Sequence, residues 1–336
     1  MSQQTNKVSI EWSHGRAEMQ SLGAMLAPVD FTLADGRVVS PLHIAPWANE
    51  KLSPITPPLL QTLRGEWPCV PFGAADLSRL NSQWASLSAK TEVPAHGYAA
   101  NTHWQLHSTG DSDSSMRATI EYPDESDISA IERDVKGVTG EARLAVELAI
   151  HPRVDTCIPI GVHPVFRLPE TTGRVQLKPG VFDQVWTYPG DTGGPSLFSR
   201  GKRYADLADI PGISGTCVDV SRLPLLGASE DLLLLTGTQG RFELCYLDHE
   251  YRVVLEWNSR DFPCVLLWIS NRGRQQPPWS GRHLALGVEP VCSAFDLGTD
   301  ISANENPLSR EGIKTAISLE AGSIWRTSYA IAVELI

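Results

Sequence analysis

The chain has no CxxC pair, no long apolar run and almost no sustained helical periodicity, and each absence removes a class of function. Its six cysteines, at positions 69, 157, 217, 245, 264 and 292, are scattered. That is neither a zinc framework nor a disulfide scaffold, and it reads as a reduced, cytoplasmic setting. The most apolar stretch, the four leucines after Asp231, is far too short to span a bilayer. The polar start MSQQTNKVSIEW lacks the apolar region of a signal peptide. Kinase, dinucleotide, zinc-protease and serine-hydrolase motifs (GxxxxGK[ST], GxGxxG after a strand, HExxH, GxSxG) are missing, so those chemistries have no support. With 28 Lys and Arg against 39 Asp and Glu, the formal charge is −11. Nucleic acid and anionic membrane surfaces are therefore not expected partners.

What is present is alternation. Ala142, Leu144, Val146, Leu148 and Ile150 alternate with more polar neighbours, as do Ala118, Ile120 and Tyr122, and Tyr251, Val253, Leu255 and Trp257. Near the C-terminus Trp325, Thr327, Tyr329, Ile331, Val333 and Leu335 share one face. Each run predicts a half-buried antiparallel strand, and the prolines and glycines fall mostly between such runs as turn signals. One short amphipathic helix is expected over 74–90, where Leu77, Leu80, Trp84 and Leu87 recur at spacings of three and four. The expected fold class is all-β, a large antiparallel β-sandwich, in one domain spanning 1–336. The segment Tyr188–Arg200 is expected to be a surface loop.

A few residues have the settings that chemistry requires. His96, in PAHGYAANTHW, sits at a turn before a strand-like run; its bland alternative is a surface-loop histidine. His163, in IPIGVHPVFRLP, lies among apolar residues with Pro164 forcing an extended backbone, so it is either a satisfied core residue or an imidazole aimed into a pocket. His103 and His107 share a strand face without an evident third ligand, so no metal is expected. Glu289, in HLALGVEPVCSAF, is a carboxylate inside an apolar run. Unless its head reaches solvent at the strand end, desolvation raises its pKa toward the range useful for proton transfer. Arg64, in LRGEWPCVPFG, could hold an anionic or hydroxyl-rich ligand, or be a surface arginine beside a turn.

Four segments taken together resemble the aldose 1-epimerase (galactose mutarotase-like) superfamily. HGYAANTHWQL (96–106) is similar to that family's HGFARNxxWxL stretch, and LRGEWPCVPFG (63–73) to the RGGxPxxxPxFG segment of its hexose-6-phosphate epimerase branch. GVHPVFRLP (161–169) is similar to GxHPYFxL, and LGVEPV (286–291) to the segment that carries the base glutamate. Order and spacing agree over roughly 60–295.

The resemblance implies a β-sandwich that binds carbohydrate in an open cleft and interconverts α and β anomers of a free aldose, an isomerase without cofactor or metal. By motif position Glu289 is then the general base, His163 the general acid and His96 a substrate-positioning histidine. Arg64 becomes a substrate or phosphate contact, and Asp231 the sugar-binding aspartate, with Glu230, Asp183 and Asp206 as rivals. Trp104 and Trp279, with Trp268 beside them, are candidates for stacking on a sugar face. Acid and base are expected to face one pocket across a sugar-sized gap. One departure bears on the substrate: Ala100 stands where the phosphosugar branch carries an arginine, which removes a cation from a phosphate clamp, while Arg167 and Arg282 are unplaced. The alternatives are a hexose-6-phosphate 1-epimerase, a glycosidase, which would need a second acid near Glu289, and a carbohydrate-binding protein of the same fold without catalysis.

Overall fold

The computed structural model describes residues 6–74, 80–85, 94–108 and 114–336. They form two large antiparallel sheets, of nine and eight strands, with a four-stranded sheet built from the N-terminal segment. The nine-stranded sheet places Trp325–Leu335 between Tyr251–Trp257 and Arg143–Pro152, and continues through Ile128–Gly137 and Ser115–Glu121 to Gln105–Ser108. These are the runs whose alternation is visible in the sequence. Leu144, Val146, Leu148, Ile150, Val253, Leu255, Ile331 and Val333 all enter one hydrophobic core. The pattern is departed from at the strand end, where Leu335 is exposed, and on the opposite side, where Ala149, Val254, Ala330 and Ala332 are also buried.

The eight-stranded sheet behaves differently. Its central strands, Ser229–Thr236, Cys264–Asn271 and Leu284–Cys292, are buried at every residue. Leu233, Leu235, Val265, Leu267, Leu286 and Val288 point into the core shared with the nine-stranded sheet. Leu232, Leu234, Leu266, Trp268, Ala285 and Val291 point the other way into a second core. That second face is roofed by the segment from Ile44 to Leu63, whose Trp47, Leu59 and Leu63 pack onto it, while Trp67 precedes the sheet's own strand Pro68–Cys69. A strand covered on both sides loses polar alternation, so the leucines after Asp231 read as a continuous run. The candidate site lies on this roofed face.

The helix expected over 74–90 falls largely outside the described residues; within them there is a four-residue helix, Ser82–Ala85. After His96 the chain forms not a strand but a short helix, Gly97–Asn101, and the strand begins only at Gln105. Gly97 is required there. Its φ is +79°, and a Cβ would sit 2.3 Å from the Val70 carbonyl oxygen.

Candidate active site

Glu289 stands in the middle of the Leu284–Cys292 strand, directly opposite Leu266. Space for its carboxyl comes from Gly287 two residues earlier on the same face, where a Cβ would lie 2.4 Å from Glu289 Oε1. The neighbouring chain pairs with this strand twice, through Ile160–Gly161 and again through Val165–Arg167. Between the two pairings it breaks at His163 and Pro164. The Pro164 carbonyl accepts from the Val288 amide at 3.0 Å, and the His163 amide donates to the Trp67 carbonyl at 2.9 Å. This interruption turns the imidazole into the site, stacked on the Trp67 indole at 4.2 Å between centroids. His96 meets it edge-on at 5.0 Å. His96 itself adopts a left-handed backbone (φ +60°), a strained conformation for a non-glycine residue that commonly marks functional positions.

These three residues line a cavity of about 220 Å³, together with Trp67, Trp268, Trp279, Arg274, Asp296 and a set of leucines. His163 Nε2 lies 3.3 Å from Glu289 Oε1. The gap expected between acid and base is therefore absent: the two groups touch, side by side. Chemistry at a hemiacetal has no need of the gap, because the anomeric hydroxyl and the ring oxygen are bonded to the same carbon. Glu289 Oε1, His163 Nδ1 and His96 Nδ1 are buried without a hydrogen-bond partner, an uncommon arrangement that points to a polar occupant.

Burial, reinforced by the nearby Asp296 carboxyl, holds Glu289 well above the usual carboxylate range. Burial, with His96 beside it, drives His163 well below the usual imidazole range, and burial alone lowers His96 to about 4. Both members of the pair are thus pushed toward their neutral forms.

Asp296 was not foreseen as a site residue. It lines the same cavity with Oδ1 unpartnered, and burial raises its pKa against an opposing hydrogen bond from Tyr188. Its signal in the sequence was a carboxylate in the apolar segment seven residues after Glu289. Arg274 was also missed. It spans the faces of Trp279 (4.7 Å) and Trp268 (5.6 Å), donates to the Thr192 carbonyl at 3.0 Å and pairs with Glu230 at 3.1 Å. Glu230 is fully buried and also accepts from the Trp268 indole at 2.6 Å and the Ser270 hydroxyl at 3.1 Å. The segment Tyr188–Arg200, expected as an exposed loop, folds against the site through Tyr188 and Thr192.

Three expected contacts lie elsewhere. Arg64 does not line the cavity. It donates to the Thr62 carbonyl at 3.0 Å, and to the Ala48 carbonyl and Asn49 Oδ1 at 3.2 Å. The Asp231 side chain is turned to the opposite face from Leu232, where its Oδ1 anchors the 188–200 segment by accepting from Ser196 Oγ (2.7 Å) and the Leu197 amide (2.9 Å). Trp104 is core, its indole donating to the Ala99 carbonyl at 2.9 Å. Arg167 donates to the Leu42 carbonyl and Arg282 pairs with Glu50, both outside the cavity lining. Ala100 is fully buried in the second core, so the position of the missing clamp arginine is closed to the cavity.

A second histidine pair backs the tryptophan wall. His283 stacks on Trp268 at 5.1 Å and meets His43 edge-on at 4.7 Å. Burial lowers His43 from 6.5 to about 4. A depressed imidazole contributes stability that is fully present above pH 6.5 and is lost as the pH falls toward 4. His43→Gln removes that dependence. The stability difference between variant and wild type is expected to move in the variant's favour by roughly 2–3 kcal/mol between pH 7 and pH 4, read from urea unfolding at each pH. A difference that stays constant with pH refutes it.

Neither a protein-family model nor a curated protein matches the chain. Solved structures do. A galactose mutarotase-like protein from Clostridium acetobutylicum superposes with a TM-score of 0.65 at 14% identity, covering 98% of this chain and 95% of that one. A galactose mutarotase-like protein from Lactobacillus casei gives 0.62 at 15% identity, covering 98% and 100%. A protein from Escherichia coli K12, provisionally named an aldose 1-epimerase, gives 0.64 at 15% identity, covering 98% and 99%. The chain has the galactose mutarotase-like fold.

Proposed function

We propose that the protein is a cofactor-independent aldose 1-epimerase acting on a free, unphosphorylated sugar. The observation that carries the reading is the contact between Glu289 and His163 on the floor of a cavity, both with polar atoms left unpartnered. When a sugar enters, its hydroxyls supply the hydrogen bonds that water no longer makes. That favours transfer of the carboxyl proton from Glu289 to His163 and leaves carboxylate beside imidazolium. Glu289 takes the proton of the C1 hydroxyl, the bond from C1 to the ring oxygen breaks, and His163 delivers its proton to that oxygen. The open-chain aldehyde turns about C1–C2, the hydroxyl adds to the other face of the carbonyl, and the two protons return. No electrons leave the sugar, and every proton is restored at the end of the cycle.

The preference for a neutral sugar follows from charge. Arg274, the cation of the cavity wall among the described residues, is already paired with Glu230, and two carboxyl groups share the space. A phosphate dianion would face those carboxyls without a free guanidinium to hold it. Anomer exchange measured by NMR is expected to favour each free aldose over its 6-phosphate by roughly tenfold or more in kcat/KM, since 1.4 kcal/mol is a factor of ten. A phosphosugar advantage would overturn the assignment.

One observation favours a second reading. Asp296 places a second carboxyl in the cavity with Glu289, the equipment of glycoside hydrolysis. Release of nitrophenol from aryl glycosides, with no anomer exchange on free sugars, would establish that activity instead.

A further inference from the structure

The lining of the cavity holds polar groups that the proton transfers do not use. His96 Nδ1 and Trp67 Nε1 are buried without a partner, and both rings pack against the imidazole of His163. Arg274 and Asp296 form a second set. The guanidinium of Arg274 is fixed along one edge. Its Nε and Nη2 donate to the Thr192 carbonyl at 3.3 and 3.0 Å, and Nε also meets Glu230 Oε1 at 3.1 Å. Its central carbon lies over the Trp268 and Trp279 rings. The remaining nitrogen, Nη1, carries donors that meet no partner among the described residues. Asp296 is fixed separately, by a hydrogen bond from the Tyr188 hydroxyl, and its Oδ1 is buried without a partner. The guanidinium is near enough to act on this carboxyl electrostatically, yet no ion pair joins the two. An arginine free to move would close onto such a carboxyl, because charge-assisted hydrogen bonds are the stronger kind. Glu230 and Thr192 hold it back, so a donor and an acceptor stand apart in one cavity.

We propose that Arg274 and Asp296 clamp a vicinal diol of the sugar, one ring hydroxyl donating to Asp296 Oδ1 while its neighbour accepts from Arg274 Nη1. This rests on the aldose reading above and adds to it the residues that read the ring away from C1. A diol suits a donor and an acceptor that face each other without touching. Each hydroxyl can donate and accept at once, so the hydrogen bonds run in one direction from guanidinium to carboxyl, and each polarises the next. An anionic group would meet Arg274 but also face the carboxyls of Asp296 and Glu289, which line the same cavity. Glu230 is the positioning residue of the clamp. It offsets the charge of the guanidinium without occupying Nη1, which leaves donors for a hydroxyl and little net charge to draw an anion.

The test is a set of cycles between side chain and hydroxyl. The best-accepted aldohexose and its 2-, 3-, 4- and 6-deoxy forms are compared on the wild type, Arg274→Lys and Asp296→Ala. Lysine can still pair with Glu230 but has no fork to reach past it, so the buried carboxyl is not stranded. Anomer exchange followed by NMR gives kcat/KM, and quenching of the cavity tryptophans gives Kd. Each variant is expected to cost the parent sugar on the order of ten- to a hundredfold, the scale of a hydrogen bond to a charged group. For one deoxy sugar per variant the cost should be smaller by roughly tenfold, because the hydroxyl that the side chain reads is already gone. The two carbons identified in this way should be neighbours on the ring. The 6-deoxy sugar is the control, since its missing hydroxyl belongs to no ring diol. Asp296→Ala also removes a carboxyl beside Glu289, but that effect acts on every sugar alike and cancels in the comparison. A cost that is the same for all five sugars marks a structural role and overturns the clamp, as do two carbons that coincide or are not adjacent; the epimerase reading then stands. If the sugars bind but none is exchanged, the epimerase reading fails and the same cycles in Kd decide the clamp. If none binds the wild type, both fail.

Discussion

Glu289→Gln and His163→Asn are each expected to lower the catalysed rate of anomer exchange by roughly 10²–10⁴-fold while leaving the protein folded, the usual cost of deleting one positioned acid or base. Glutamine keeps the shape of the side chain beside Gly287 but cannot accept the anomeric proton. Asparagine at 163 keeps a polar group near Trp67 but cannot carry the proton across to the ring oxygen. Because the two groups lie 3.3 Å apart and act as a unit in the proposed reaction, the double variant should be scarcely slower than the worse single one. The pH profile of the wild type should be bell-shaped, its two limbs belonging to the pair rather than to either residue. Activity requires that the pair hold one proton. It fails on the acid side when both are protonated, and on the alkaline side when the raised Glu289 carboxyl and its partner have both lost theirs. Exchange rates must be taken above the spontaneous background and at matched thermal stability. Wild-type turnover in Glu289→Gln would place the base elsewhere.

The second large effect is expected in stability. Glu66 and Arg133 are both fully inaccessible and ion-paired, and Tyr329 donates its hydroxyl to Glu66 Oε1 at 2.6 Å. Glu66 immediately precedes Trp67, on which the His163 ring stacks, so this buried network fixes the backbone beneath the site. Glu66→Gln removes the charge that compensates a buried guanidinium. Breaking one side of such a pair typically costs about 3–5 kcal/mol, because the remaining charge is stranded in a low dielectric. The urea midpoint should fall by a corresponding amount with the slope of the transition unchanged. Replacing both partners, Glu66→Met with Arg133→Met, should recover much of the loss, since neither charge then remains buried. If the single variant unfolds at the wild-type midpoint, the network contributes nothing and the site owes its geometry to aromatic packing alone.

The two experiments report on separate things. The first changes the chemistry of the cavity floor with little change in packing, and the second changes the support below it with no change in the reacting groups. A partial loss of exchange in Glu66→Gln, at a temperature where it is still folded, would show how closely Trp67 must hold the imidazole. A displacement of about 1 Å can cost on the order of a hundredfold in rate.

The strands of the nine-stranded sheet were legible in the sequence because each has a polar and an apolar side. Leu144 to Ile150 and Tyr251 to Trp257 carry that difference residue by residue, and alternation is a local property of the chain. His163 and Glu289 were legible for a related reason, as polar residues set beside prolines in apolar sequence where an ordinary surface position would not be found. The helix after His96 could not be read: it spans five residues, Gly97–Asn101, fewer than two turns, and is held by packing rather than by its own periodicity. Asp231, Arg64 and Trp104 had suitable chemistry and suitable positions along the chain. Which side of a strand each one takes, and which loop folds over it, is settled by contacts with segments distant in sequence. Asp231 is turned away from the face of Leu232 and spent on anchoring Leu197, while Arg274 and Asp296 are delivered to the cavity by turns that follow their strands. The sequence by itself determined an all-β fold and singled out Glu289 and His163. The tertiary structure alone decided that these two side chains touch, that Arg274 is already paired with Glu230, and that leucines close the cavity. These properties arise where a sheet is buried on both faces, and there the alternation that marks inside from outside is no longer written in the chain.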